Sequence, residues 1–178
     1  MIEKIIIAGS GGQGIMLLGK IIATGAMAEG KFVTWLPAYG AEVRGGTAHC
    51  MLVISDEEIG SPYVDKADSL IIMNSLSLDK FKNRVRDNGA LFINGSLVHK
   101  KFKSSAKVIK HPFTDIALGL GNIKVANMVA LGSYLTNKRL ISPATILNII
   151  KKIAPPDRKD LININMDALK KGIGLKNG

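Results

Sequence analysis

The 178-residue sequence contains one cysteine, Cys50. A lone thiol excludes an internal disulfide, a zinc finger and a cysteine-ligated iron–sulfur cluster held by this chain alone. Cys50 reads instead as a small buried apolar side chain. Acidic residues are few, 14 against 24 Lys and Arg, for a net charge of +10. Aromatics make up only 5% of the chain, and just Phe81 and Phe102 directly adjoin its densest basic residues, so a base-stacking platform is missing. No uncharged apolar run reaches the ~18 residues of a membrane span. The first residues carry Glu3 and Lys4 and lack a signal-type apolar core, so a cytoplasmic protein is expected. There is no G-x-S-x-G elbow, and His49, His99 and His111 are not spaced with Cys or carboxylates as metal ligands.

The excess positive charge favours anionic partners. It is densest at Lys80, Lys82, Arg84, Arg86, Lys100, Lys101, Lys103, Lys107 and Lys110. Without interleaved aromatics this region reads as a solvated face rather than a nucleic-acid site.

Short apolar runs alternate with helical patterns in the first part of the chain. Strands are predicted at Lys4–Ala8, Phe32–Leu36, Thr47–Ser55, Leu70–Asn74, Ala90–Asn94 and Lys107–Lys110. Helices are predicted at Gly14–Glu29, stopped by Gly30, and at Ser77–Val85, capped by Ser77. Asn88-Gly89 predicts a turn. Later the chain is helical: Thr114–Leu120, Lys124–Thr136, Ala144–Ile153 opened by Ser142-Pro143, and Asp160–Lys171 closed by Gly172. Pro155-Pro156 breaks the third of these. The pattern predicts one α/β domain over residues 1–178, a three-layer α/β/α fold with a largely parallel or mixed central sheet and a helical C-terminal part.

Gly9, Gly11 and Gly14 satisfy G-x-G-x-x-G between a strand and a helix, the context of a dinucleotide fingerprint. The fingerprint also wants an acidic residue at the end of the second strand. Here that segment reads Thr34-Trp35-Leu36-Pro37, so a freestanding dinucleotide-binding or regulatory module is the weaker reading. Phosphate binding at a helix N-terminus and a tight packed turn both remain open for these glycines. Gly14-Ile-Met-Leu-Leu-Gly19-Lys20-Ile21 lacks the hydroxyl residue of a P-loop and has apolar, helical spacers, so it reads as coincidence. A second loop, YGAEVRGGT at 39–47, holds Arg44 before two glycines. Arg44 can grip a carboxylate or phosphate, or pair with Glu42 and shape the loop. Both loops follow strands, so they are expected to meet at one sheet edge.

Taken in order, GSGGQGIMLLGKIIA at 9–23, TWLPAYGAEVRGGTAHCMLVISDEEIGSPYV at 34–64 and VANMVALG at 125–132 resemble the gamma subunit of the 2-oxoacid:ferredoxin (acceptor) oxidoreductases. The resemblance covers Ile5 to about Gly172. It implies a necessary subunit, inactive alone, of an enzyme that oxidatively decarboxylates a 2-oxoacid onto coenzyme A. Thiamine diphosphate with Mg and the iron–sulfur clusters would lie in partner alpha, beta and sometimes delta subunits, with ferredoxin reached through the complex. The chain has no G-D-G…N-N thiamine–magnesium signature, in keeping with that division. No nucleic acid or membrane partner is implied. Gly11, Gly12, Gln13 and Gly14 match the family's first loop, Tyr39, Gly40, Glu42, Arg44, Gly45 and Gly46 its second, and Asn127 a polar position in the third segment. The resemblance implies that these line a cofactor or subunit contact, with Arg44 a candidate for coenzyme A phosphates. No catalytic or metal-binding residue is assigned to this chain. The second loop looks more like that of 2-oxoglutarate and branched-chain members than that of pyruvate members, which points to 2-oxoglutarate. Alone, the chain is expected to form a homodimer through its uncovered apolar surface.

Overall fold

The computed structural model describes residues 1–38, 47–153 and 159–175. Its strands are β1 (Ile2–Ser10), β2 (Phe32–Ala38), β3 (Thr47–Ser55), β4 (Ala67–Ile72), β5 (Val85–Asn94) and β6 (Lys107–His111). Its helices are α1 (Ile15–Ala28), α2 (Ser75–Phe81), α3 (Phe113–Gly119), α4 (Ala126–Lys138), α5 (Pro143–Ile153) and α6 (Lys159–Ile173). The strands form one mixed sheet in the order β2-β3-β1-β4-β5-β6. β3 runs antiparallel to both β2 and β1, while β1, β4, β5 and β6 are mutually parallel.

Burial follows the two-residue period of a strand covered on both faces. Ile5, Ile7, Leu52, Ile54, Ile71 and Phe92 point into one core. Ile6, Ala8, Met51, Val53, Leu70, Ile72, Leu91 and Ile93 point into the other. The first core is covered by residues of α1, α3, α4, α5 and α6. The second is covered by Leu78 and Phe81 of α2 and by connecting residues such as Val64, Val98 and Ala106. The three layers are therefore thick on one side of the sheet and thin on the other.

Several local expectations need correction. The cap of α2 is Asn74, whose side chain accepts the Ser77 N–H at 2.8 Å; Ser77 lies inside the helix, buried. α2 ends at Phe81, and a 3-10 turn, Lys82–Arg84, replaces its last residues. Asn88-Gly89 does not precede the strand but lies inside β5, which starts at Val85: the pairs Ala67↔Val85 and Ser69↔Ala90 leave residues 86–89 as a bulge opposite Asp68. Arg86 there pairs with Asp68 of β4 at 2.7 Å. Gly172 does not stop α6, which runs on to Ile173. A Cβ on Gly172 would lie 3.0 Å from the Cα of Gly132 and would collide with the Val129 carbonyl oxygen. Its role is close packing of α6 on α4. In contrast, Gly30 does end α1, at φ +77 with Lys31 N–H returning to the Ala26 carbonyl, the Schellman pattern. Ser142 does cap α5, accepting the Thr145 N–H at 3.1 Å. Pro155-Pro156 lies outside the described residues.

Candidate functional site

The chain leaves β1 through Ser10–Gly14 and crosses the first face as α1 to reach β2 at the sheet edge. It leaves β4 through Met73-Asn74 and crosses the opposite face as α2 to reach β5. β1 and β4 are neighbours, so their outgoing connections part at this point. That is the switch point at which α/β sheets bind ligands, beyond the carboxyl ends of the strands.

The loop at the switch is braced by Gln13. Its Oε1 accepts the Ser10 N–H at 2.8 Å, and its Nε2 donates to the Met73 carbonyl at 3.1 Å. One amide thus ties the end of β1 to the end of β4. Met73 N–H in turn donates to the Ala8 carbonyl at 2.8 Å. Gly9 must be glycine for this to fit, because a Cβ there would stand 2.6 Å from Gln13 Oε1. Gly11 and Gly12 are exposed, and Gly12 and Gly14 hold φ of +85 and +70, a region that L side chains enter only at a cost. Gly14 is the N-cap of α1 and brings no side-chain cap, and the first turn of α1 has no acidic residue. The N–H groups of Ile15, Met16 and Leu17 precede the first intrahelical bond, Leu18 N–H to the Gly14 carbonyl. They are the donors a helix start offers to an anion.

Asn127, on α4, reaches the same loop. Its Nδ2 donates to the Gly14 carbonyl at 3.2 Å. The residue is 2% exposed and its Oδ1 has no partner. The starts of α1 and α4 therefore meet at Gly14, bridged by one amide. A cleft of ≈ 330 Å³ beside them is lined by Ser10, Gly11, Gly12, Gly14, Met16, Leu17, Ala38 and Ala48.

Ala38 and Ala48 flank the second loop. The pairings Ser10↔Thr47 and Ala38↔His49 put the end of β2, the start of β3 and the end of β1 side by side. The residues that flank the second loop thus stand at the same end of the sheet as the first loop. Tyr39, Gly40, Glu42, Arg44, Gly45 and Gly46 lie outside the described residues. The described part of the crevice accordingly brings together Gly11, Gly12, Gln13, Gly14 and Asn127.

A second polar group escaped sequence reasoning. Asn94, fully buried at the end of β5, donates from Nδ2 to the Met73 carbonyl at 3.2 Å and to Thr114 Oγ1 at 2.8 Å; its Oδ1 accepts the Thr114 N–H at 3.2 Å. The available signal was that both β4 and β5 run out of an apolar stretch into asparagine, LIIMN and LFIN. Gly19-Lys20, the P-loop near-match, sits inside α1. A Cβ on Gly19 would lie 2.6 Å from Cys50 Sγ, so this glycine serves packing. Burial pushes the Cys50 thiol up to about 12, only partly offset by the Trp35 indole. Among the described residues no three His, Cys, Asp or Glu side chains are placed to hold a metal ion, and no helix is long and apolar enough to cross a membrane.

These features define an α/β domain with a glycine-loop crevice at the switch point of a mixed sheet. Comparison with known proteins carries this further. The family model described as pyruvate ferredoxin/flavodoxin oxidoreductase matches residues 4–175, and the chain belongs to that family. It is 40% identical over 129 residues to the ketoisovalerate oxidoreductase subunit VorA of Methanothermobacter marburgensis, a match covering 72% of this chain and 27% of VorA. The chain thus spans about a quarter of the length of that relative. It is 32% identical over 176 residues to the 2-oxoglutarate synthase subunit KorC of Methanocaldococcus jannaschii, covering 97% of this chain and 92% of KorC. Among solved structures, the keto/oxoacid ferredoxin oxidoreductase gamma subunit of Geobacter sulfurreducens superimposes with a TM-score of 0.83 at 26% identity, covering 96% of this chain and 95% of that one.

Proposed function

We propose that this chain is the gamma-type subunit, a single domain over residues 1–178, of a 2-oxoacid:ferredoxin oxidoreductase that couples oxidative decarboxylation of a 2-oxoacid to coenzyme A acylation. The observation that carries the reading is the family match over residues 4–175, supported by end-to-end likeness to a gamma subunit. In that complex, thiamine diphosphate with Mg would supply the electron sink, iron–sulfur clusters the path to ferredoxin, and coenzyme A the acyl acceptor.

Which of these groups this chain suits follows from its own residues. A cluster or a thiamine-bound Mg does not fit: the one thiol is buried, and among the described residues no metal-ligating group assembles. We place those groups in alpha, beta and, where present, delta partners. A phosphate does fit the crevice, where exposed Gly11 and Gly12 let a ligand approach the backbone and the N–H groups of Ile15 to Leu17 stand at a helix start. Gln13 and Asn127 would keep that start in place, and Arg44 would add charge for a coenzyme A phosphate. This chain's task in the reaction is then to position coenzyme A.

For the substrate we favour 2-oxoglutarate, because the 2-oxoglutarate synthase relative matches nearly end to end. A branched-chain 2-oxoacid is the second reading, supported by the higher identity to VorA. A dinucleotide module is disfavoured by Leu36-Pro37-Ala38 at the end of β2, where a ribose-binding carboxylate would stand.

The test is co-expression with the neighbouring reading frames, purification through a tag on this chain, and assay of coenzyme A-dependent viologen reduction with 2-oxoglutarate, pyruvate and 2-oxoisovalerate. Brown, thiamine-containing partners and turnover of one oxoacid would support the reading and name the substrate. A chain that emerges alone and colourless would remove it.

A further inference from the structure

At the opposite pole of the sheet from the glycine loop, where β4 and β5 begin, a polar depression of ≈ 290 Å³ is lined by Lys66, Lys82, Asn83, Asp87, Lys103 and Ser105, among others. Three separate segments feed it: the residue before β4, the 3-10 turn with the start of β5, and the connection before β6. Neighbouring cations are already matched. Arg86 is paired with Asp68 and Lys100 with Asp79. Arg84 donates to the Val64 and Asp65 carbonyls and lies against Tyr63 and Phe81.

The depression differs. Among the described residues, Lys66 Nζ donates to the Asn83 carbonyl oxygen and forms no ion pair, and Lys82 and Lys103 form none either. Among the described lining residues the one carboxylate, Asp87, accepts the Ser105 hydroxyl. Three lysines and one carboxylate lining the same depression leave it net positive. The lining is polar and includes a hydroxyl and an amide as well as the rotatable donors of lysine. That suits a compact, multiply charged oxyanion better than a flat protein face.

We propose that this depression is an oxyanion site for a phosphate-class ligand carrying at least two negative charges, separate from the glycine-loop crevice. Each ammonium would supply charge and a donor. Ser104, also on its wall, has its Oγ committed to the Ala106 N–H as acceptor and retains a hydroxyl proton to give.

The test is calorimetric titration of the full-length chain with inorganic phosphate and with pyrophosphate, at constant ionic strength set by chloride. Saturable binding is expected, tighter for pyrophosphate, and reduced about tenfold or more in Lys66→Gln/Lys82→Gln/Lys103→Gln, since each lost charge-assisted bond weakens binding severalfold. A control triple elsewhere on the surface, Lys107→Gln/Lys151→Gln/Lys170→Gln, should bind as the parent does, and circular dichroism would verify that both variants are folded. Loss of binding in the control triple as well would mean diffuse charge rather than a site, and overturn the proposal. So would the absence of saturable binding, or identical isotherms for parent and first triple. Because the glycine loop is untouched by these substitutions, oxidoreductase assembly and this site can fail independently.

Discussion

Asn127 and Gly14 lie 113 residues apart in sequence, and the side-chain Nδ2 of the first donates to the carbonyl oxygen of the second at 3.2 Å. The approach is so close that a Cβ on Gly14 would collide with that same Nδ2. Gly14→Ala meets two penalties, the left-handed φ of +70 and the collision, which together should cost about 2–4 kcal/mol. Asn127→Ala removes the obstacle but not the backbone strain. In urea denaturation, Gly14→Ala should therefore cost less in the Asn127→Ala background than alone. Strict additivity would show that the two residues do not meet.

Gln13→Ala should loosen the junction of β1 and β4 by leaving the Ser10 N–H without its acceptor and removing one donor from the Met73 carbonyl. A loss of about 1–3 kcal/mol is expected. Gln13→Glu keeps the acceptor and loses the donor, so it should fall between. Hydrogen exchange at the Ser10 amide reports the acceptor specifically: protection should survive in Gln13→Glu and vanish in Gln13→Ala.

Cys50 is fully buried with its thiol pushed up to about 12. At pH 8 the thiolate form is scarce and shielded, so a disulfide reagent such as Ellman's should label the folded chain only on unfolding. Rapid labelling without denaturant would contradict the buried position under α1.

Asp56 accepts from Lys31 and from the N-terminal ammonium at 2.5 and 2.7 Å. Chiefly the Lys31 bond, then that of the amino terminus, lowers its carboxyl from 3.8 to about 2. A depressed folded value means stability that is present above the unfolded value and lost as pH falls through the folded one. The stability difference between the parent and Asp56→Asn should therefore be constant at neutral pH and shrink between pH 3.8 and about 2. Denaturation midpoints across that window, at low salt, provide the check; a difference that persists unchanged below it would rule out the linkage.

Gly132 and Gly172 let α4 and α6 touch through their backbones. A Cβ on Gly132 would stand 2.6 Å from the Ile173 nitrogen, and backbone cannot yield as a side-chain tip can. Gly132→Ala and Gly172→Ala should each cost about 3 kcal/mol or more, the upper range of overpacking. Limited proteolysis should then cut first within α6, which has been pushed off its seat. Wild-type resistance in both variants would argue against the close crossing.

Much of the fold could be read from the chain because its runs are simple. The unbroken run Ile5-Ile6-Ile7 announced β1 as a buried strand, and Gly30 and Ser142-Pro143 marked helix ends by their backbone chemistry. The misreadings share a cause. Arg86-Asp87-Asn88-Gly89 is polar and turn-like locally, yet it is a bulge inside β5, bounded by the β4 pairs at Val85 and Ala90 and tied to β4 by the Arg86–Asp68 ion pair. Gly172 resembles a helix stop, and only a neighbouring helix reveals why glycine is needed there. At the crevice, the glycines were visible through their spacing. The bracing amides of Gln13 and Asn94 were not assigned these contacts, because Met73 lies 60 and 21 residues away from them and no local pattern encodes such reach.

The carbonyl oxygen of Met73 receives both of those amides, one from the loop after β1 and one from the last residue of β5, which in turn holds the start of α3. A single acceptor is shared between two parts of the rim, so neither can shift without disturbing the other's bond. A ligand or neighbouring subunit that pulls on the glycine loop would transmit its force through one backbone oxygen to Asn94 and Thr114, and the ends of β1, β4 and β5 would yield as one piece.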